Sequence, residues 1–180
     1  MTVFAALVPL LISGCAARGV GPAAEAAKVA EDKAVIEANW TAANAGEAQA
    51  QYRVGKAYCC APGNVHGLYN NQKSTEWLCR AARQNFAPAQ YKLAQMYADH
   101  EIDGPRVMRR VVLGVVGTDK DLALSTMWFT VAAQQDYKDA AKHRDSLTAK
   151  LSDAEIARSN AYLADWRSAP CEWEQVFGAH

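Results

Sequence analysis

Four cysteines, Cys59, Cys60, Cys79 and Cys171, carry the chemistry that is easiest to read in this chain of 180 residues. Two uses suit them. Thiols in an oxidising compartment pair as disulfides, whereas thiolates beside an imidazole hold zinc. A zinc site would draw on Cys59, Cys60, Cys79 and His66, but paired Cys-x-x-Cys spacing is missing. Disulfides are therefore the expectation, with buried free thiols as the other alternative. A bond between adjacent Cys59 and Cys60 would be strained. The expected scheme joins one of them to Cys79 and the other to Cys171. The first bond would staple two helices together, and the second would hold the C-terminal tail. Closing the long loop to Cys171 would contribute on the order of 4 kcal/mol in the chain-entropy account.

No other group of residues announces a reaction. There is no Ser-x-x-Lys and no Gly-x-Ser-x-Gly elbow, the arrangements that expose an activated serine. Gly55-Lys56 is followed by Ala57 and lacks the hydroxyl of a phosphate loop. His100-Glu101 has no second histidine four positions after the first. His66, His100, His143 and His180 are scattered and read as surface or capping residues. The expectation is no catalytic residue, no metal and no cofactor.

The fifth cysteine, Cys15, closes Ile12-Ser13-Gly14-Cys15 behind the apolar run from Val3 to Ile12. That run is far short of the roughly 20 residues that span a bilayer, and has the length of a secretory core. The tetrapeptide resembles a bacterial lipobox. Small residues before the cysteine let a peptidase reach the backbone, and the thiol carries a diacylglycerol. Acyl chains bury methylenes at about 0.8 kcal/mol each, and two or more anchor stably. The resemblance implies a signal peptide over 1–14, lipid on Cys15 and a tether over 15–22. Ala16 in place of Asp implies the bacterial outer membrane, with the protein facing the periplasm. An exported setting is also what favours disulfides.

The elements behind these residues are repeated. Ala50-Gln51-Tyr52-Arg53-Val54-Gly55-Lys56-Ala57-Tyr58 returns 39 positions later, at Ala89-Gln90-Tyr91-Lys92-Leu93-Ala94-Gln95-Met96-Tyr97. Trp77-Leu78-Cys79-Arg80-Ala81-Ala82 returns 51 positions later as Trp128-Phe129-Thr130-Val131-Ala132-Ala133. The second unit thus holds an insertion between its halves. Ala50, Val54 and Tyr58 share one helical face, and Trp77, Ala81 and Ala82 share another. Small residues let helix axes approach, while Trp and Tyr fill the layers between them. A fixed register of this kind marks a repeat array.

The unit resembles the Sel1-like repeats, relatives of tetratricopeptide repeats. The likeness rests on Gly46-Glu47-Ala48-Gln49-Ala50-Gln51-Tyr52 with Gly55 and Tyr58, then Trp77/Ala81/Ala82 and Trp128/Ala132/Ala133. It covers roughly residues 40–166. It implies an all-α fold, a right-handed α-solenoid of antiparallel helix pairs over 23–167. The family's matching positions are structural, so it supplies no catalytic residue. Residues 23–44, without Gly or Pro and loaded with Ala, Glu and Lys, read as a helix capping the array, the alternative being a solvated linker helix. Ser74 is expected to open the second helix of the first unit. Ser152-Asp153-Ala154-Glu155 reads as a capping box. Residues 168–180, with Cys171, Trp173 and Phe177, read as a tail docking on the array, the alternative being a partner-binding peptide.

Charge and loops bound the partners. Nineteen basic residues balance nineteen acidic ones, so no general field draws in nucleic acid. The long second loop carries Arg106, Arg109 and Arg110 before Val111–Val116. It is a candidate partner-binding loop, the alternative being that its apolar run folds back on the array. The expected function is a lipid-anchored scaffold for an envelope protein. Two alternatives stand beside it. One is a hydrolase acting on cell wall or β-lactams, as implied by cysteine-rich members of the family. The other is a structural envelope lipoprotein without a dedicated partner.

Overall fold

The computed structural model describes residues 22–59, 68–98 and 120–178. Cys15, Cys60, His66, Arg106, Arg109 and Arg110 lie outside them. The described residues form helices and no strand. In chain order these are α1 (Pro22–Asn44), α2 (Ala48–Tyr58), α3 (Asn71–Arg83), α4 (Ala87–Ala98), α5 (Leu122–Ala133), α6 (Ala140–Thr148), α7 (Asp153–Ala164) and α8 (Trp173–Phe177). Each helix from α1 to α5 packs on the next, α7 lies on α5, and α8 lies on α3. The fold is all-α, a row of helix pairs.

One turn chemistry launches α2, α4 and α6. Gly46, Asn85 and Asp136 occupy equivalent places and all have positive φ, at 98°, 65° and 51°. Glycine, asparagine and aspartate are the residues that adopt this conformation most readily. Each turn closes the same two backbone bonds. Gly46, Asn85 and Asp136 N–H donate to Ala43, Ala82 and Ala133 carbonyls at 3.1, 2.9 and 3.0 Å. The next residues, Glu47, Phe86 and Tyr137, donate to Ala42, Ala81 and Ala132 at 3.0, 3.3 and 3.3 Å. These are the paired bonds of a helix C-terminus that ends in a left-handed residue.

Alanines make the helix contacts. Ala81, Ala82, Ala89, Ala94, Ala132 and Ala140 are fully buried. Larger side chains fill the spaces left: Leu78, Leu93, Tyr97, Trp128, Phe129 and Leu147 in the main core, and Ile36, Val54 and Trp77 in a smaller one beneath α1.

Helix α3 begins earlier than the sequence suggests. Asn70 caps it by accepting from Lys73 N–H at 2.9 Å, so Ser74 sits one turn inside. The Ser74 hydroxyl instead donates across to the Gly55 carbonyl at 2.8 Å. Ser152 and Glu155 form a reciprocal capping box at the start of α7. The bonds from Ser152 hold the Glu155 carboxyl below its ordinary pKa.

Candidate interaction surface

The first helices of the units, α2, α4 and α6, share one row of positions that stays out of the core, exposed on α2 and half-buried on α4. On α2 the exposed residues are Gln49, Arg53 and Lys56, spaced i, i+4 and i+7 on one face. Their counterparts are Pro88, Lys92 and Gln95 on α4, all half-buried, and His143 and Ser146 on α6 with its N-cap Asp139. The middle member of each set is basic: Arg53, Lys92, His143.

Equivalent hydrogen bonds tie α2 and α4 to their neighbours. Gln51 Nε2 donates to the Ala43 carbonyl, and Gln90 Nε2 to the Ala82 carbonyl, both at 3.1 Å. Gln84 Nε2 donates to Gln51 Oε1, and Gln135 Nε2 to Gln90 Oε1, both at 2.8 Å. Ser125 Oγ donates to the Ala94 carbonyl at 2.7 Å, as Ser74 does to Gly55. Asp121 caps α5 through Leu124 N–H at 2.9 Å, as Asn70 caps α3. A buried amide left unpaired would cost about 1–3 kcal/mol, so these glutamines fix the pitch of the stack. Gln51 and Gln90 align at the offset of 39, but the helical faces read from the sequence do not reveal this ladder. The combined offsets of 39 and 51 were the available signal, because they align both donor and acceptor.

Aromatic pairs run beside the ladder in the same register. Tyr52 meets Phe86 at 5.6 Å between ring centroids, and Tyr91 meets Tyr137 at 5.5 Å. Burial, with Tyr137 nearby, raises the Tyr52 pKa. Tyr91 OH donates to Asp139 Oδ1 at 3.3 Å, and His143 Nε2 lies 3.4 Å from Asp139 Oδ2. The backbone bond at Asp139 is the first cause of its lowered pKa, with His143 and Tyr91 adding to it.

The tail occupies a different face. Cys79 on α3 is bonded to Cys171, 92 positions away. This corrects the expected pairing of Cys79 and Cys171 with Cys59 and Cys60. Cys59 is itself disulfide-bonded, and its partner lies outside the described residues. Around the Cys79–Cys171 bond, Trp173 N–H donates to Thr75 Oγ1 at 2.9 Å, and the Tyr97 hydroxyl donates to the Cys171 carbonyl. Tyr97 stacks on Trp173 at 6.4 Å and touches Phe177 at 6.0 Å. Burial pushes the Tyr97 hydroxyl far above its ordinary pKa, so it remains a donor. The tail is therefore latched by a covalent bond, two hydrogen bonds and a ring stack.

Among the described residues, no three His, Cys, Asp or Glu side chains converge as metal ligands would. No described helix is long and apolar enough to cross a membrane.

The Sel1 repeat family matches residues 48–86, 87–99 and 113–137. The first match spans α2 and α3 through the turn at Asn85. The second covers α4, and the third takes in α5 and its turn, so the break at 100–112 falls within the inserted loop. No curated protein and no solved structure matches the chain. The turns at Asn85 and Asp136, the caps at Asn70 and Asp121 and both glutamine–glutamine bonds fall within the matched segments, and these segments are Sel1 repeats.

Proposed function

We propose that this protein is a lipid-anchored scaffold of the bacterial envelope, holding a protein partner along the row of positions its repeats keep out of the core. Sel1 repeats generally mediate contacts between proteins. The observation that carries the scaffold reading is the division of labour along α2 and α4. Ala50, Gln51 and Val54, like Ala89, Gln90 and Leu93, are buried in building the stack. Positions 49, 53 and 56, with 88, 92 and 95, are left over from that task. Helix-pair arrays present such rows as extended binding surfaces. The anchor reading rests on Ile12-Ser13-Gly14-Cys15 and the apolar run before it.

Two measurements test the two parts. Intact mass spectrometry of membrane-extracted protein should show loss of residues 1–14 and acyl chains on Cys15, and Cys15→Ala should abolish both. A soluble, unacylated wild-type chain overturns the anchor. Crosslinking in intact envelopes from a photoreactive residue at Gln49 should capture a protein partner, and the same residue at Glu174 on the latched tail should not. Equal yields from the two sites, or none from Gln49, overturn the scaffold.

A further inference from the structure

We propose that the corner between the Tyr91 and Tyr137 rings is a cation site, which takes an arginine side chain of the protein partner and which Lys138 fills when no partner is bound. This deepens the scaffold reading and rests on it.

The turn before α6 departs from its two counterparts. The repeat register aligns Lys138 with Ala87 and Ala48, and Asp139 with Pro88 and Gln49. Helices α4 and α2 begin at those alanines, whereas α6 begins two positions later in the register, at Ala140. Lys138 has a φ of 50°, the second left-handed residue in three positions after Asp136. Lysine adopts that conformation far less readily than glycine, asparagine or aspartate. Such strain persists only where the surroundings hold it. Here the lysine Nζ lies 5.4 Å from the Tyr91 ring centroid and 5.1 Å from that of Tyr137.

Two rings and a carboxylate make up the site. The rings stand at 69° to each other with centroids 5.5 Å apart, so they form two walls whose negative faces attract a cation. The Asp139 carboxylate lies at their edge, where its Oδ1 accepts from Tyr91 OH at 3.3 Å. His143 Nε2 is 3.4 Å from the other oxygen, and the Asp139 side chain is still 58% exposed. That carboxylate makes no bond to the N-terminus of α6, although Asp139 is the N-cap. Lys138 reaches the rings but, among the described residues, forms no ion pair. An incoming guanidinium therefore gains a contact that Lys138 lacks. Its planar fork bonds a carboxylate while its face stacks on a ring. Lys138 is itself exposed, and swinging its side chain outwards uncovers the faces it lies over. The counterpart ring pair, Tyr52 with Phe86 at 5.6 Å, is followed by Ala87 and Pro88, which bring no charge to it. The two charges thus belong to this corner and not to the repeat. Asp139 and His143 also continue the outward row onto α6, so a partner lying along that row meets the corner at its end.

The test titrates the full chain in detergent with N-acetylarginine methylamide and follows the ring signals of Tyr91 and Tyr137 by NMR. Saturable shifts are expected at both rings, and none with the uncharged N-acetylcitrulline methylamide. Lys138→Gly removes the competing ammonium and suits the positive φ, so the arginine compound should bind about fivefold more tightly. Lys138→Gln keeps a long side chain and should tighten binding too, which separates lost charge from a loosened turn. Asp139→Asn keeps both rings and should weaken binding about threefold, the loss of one exposed ion pair. Tyr137→Leu removes one wall and should abolish the shifts at Tyr91. Equal shifts with the citrulline compound overturn the proposal, as does unchanged affinity in both Lys138 variants. A partner captured through Gln49 that binds Tyr137→Leu as well as wild type overturns the cation site and leaves the scaffold standing.

Discussion

The first unit, α2 with α3, and the second, α4 with α5, are built to one plan and finished differently. Their turns, caps and amide bonds coincide. What differs is each position that meets the unit's particular neighbours. Trp77 is met edge-on at 5.4 Å by the half-exposed Trp40, whereas its counterpart Trp128 is fully buried and meets Trp166 at 6.0 Å. Thr75 accepts from the tail at Trp173, while the hydroxyl of Thr126 is buried without a partner. Cys79 is bonded to the tail. Thr130 in its place turns its hydroxyl back to the Thr126 carbonyl at 2.8 Å. The repeat sets backbone and pitch, and the neighbours set the rest.

The largest test of this contrast removes the tail bond. Cys79→Ala/Cys171→Ala should cost about 4 kcal/mol for a loop of this length, measured by urea denaturation. The tail touches α3 and, through Tyr97, α4 but not α5, so amide exchange should quicken in α3 and α4 more than in α5. Equal loss of protection in α5 would show that the tail's stabilisation spreads beyond the helices it touches.

A smaller effect should come from exchanging one residue between the units. Position 55 is Gly and its counterpart 94 is Ala. A Cβ at Gly55 would lie 2.8 Å from Leu78 Cγ and 3.0 Å from the Ser74 carbonyl oxygen. Gly55→Ala should therefore destabilise by about 1–3 kcal/mol through overpacking, although alanine is the better helix former. Ala94→Gly should cost about 1 kcal/mol from helix propensity, and more through loss of its buried methyl. Adding Leu78→Ala to Gly55→Ala should recover part of the overpacking cost. A Gly55→Ala variant more stable than wild type would show that the first unit tolerates the second unit's residue.

The repeat was legible because its signal is local. Small residues at contact positions and Trp or Tyr between layers recur at fixed offsets, and the offsets survive the inserted loop. The pairing of Cys79 with Cys171 was not. Excluding a bond between adjacent cysteines says nothing about which distant one approaches, and that depends on where α8 lands. The buried glutamines were invisible for another reason. Reading a helix by its apolar face assigns amides to solvent, yet Gln51 and Gln90 are buried. Asn70 was hidden by Ser74, a better-placed cap on pattern alone, whose hydroxyl is committed to Gly55.

The two caps give the smallest and sharpest comparison. Asn70 and Asp121 occupy equivalent positions and accept equivalent bonds, each at 2.9 Å. Both N–H groups also reach back to the preceding helix, Asn70 to the Tyr58 carbonyl at 2.9 Å and Asp121 to the Tyr97 carbonyl at 3.0 Å. Asp121 alone has a second task, since its Oδ1 also accepts from Arg158 on α7 at 2.8 Å. Asn70→Ala should cost about 1 kcal/mol, the ordinary value of an N-cap. Asp121→Ala should cost that and about 0.2–1 kcal/mol more for the partly exposed ion pair. Arg158→Ala separates the two terms, because it should leave the cap intact and remove only the smaller one. In the Asp121→Ala background, Arg158→Ala should have almost no further effect by thermal melting. Full additivity there would mean that α7 is held to the second unit by its apolar face alone, with the charge on Asp121 serving α5 and nothing beyond it.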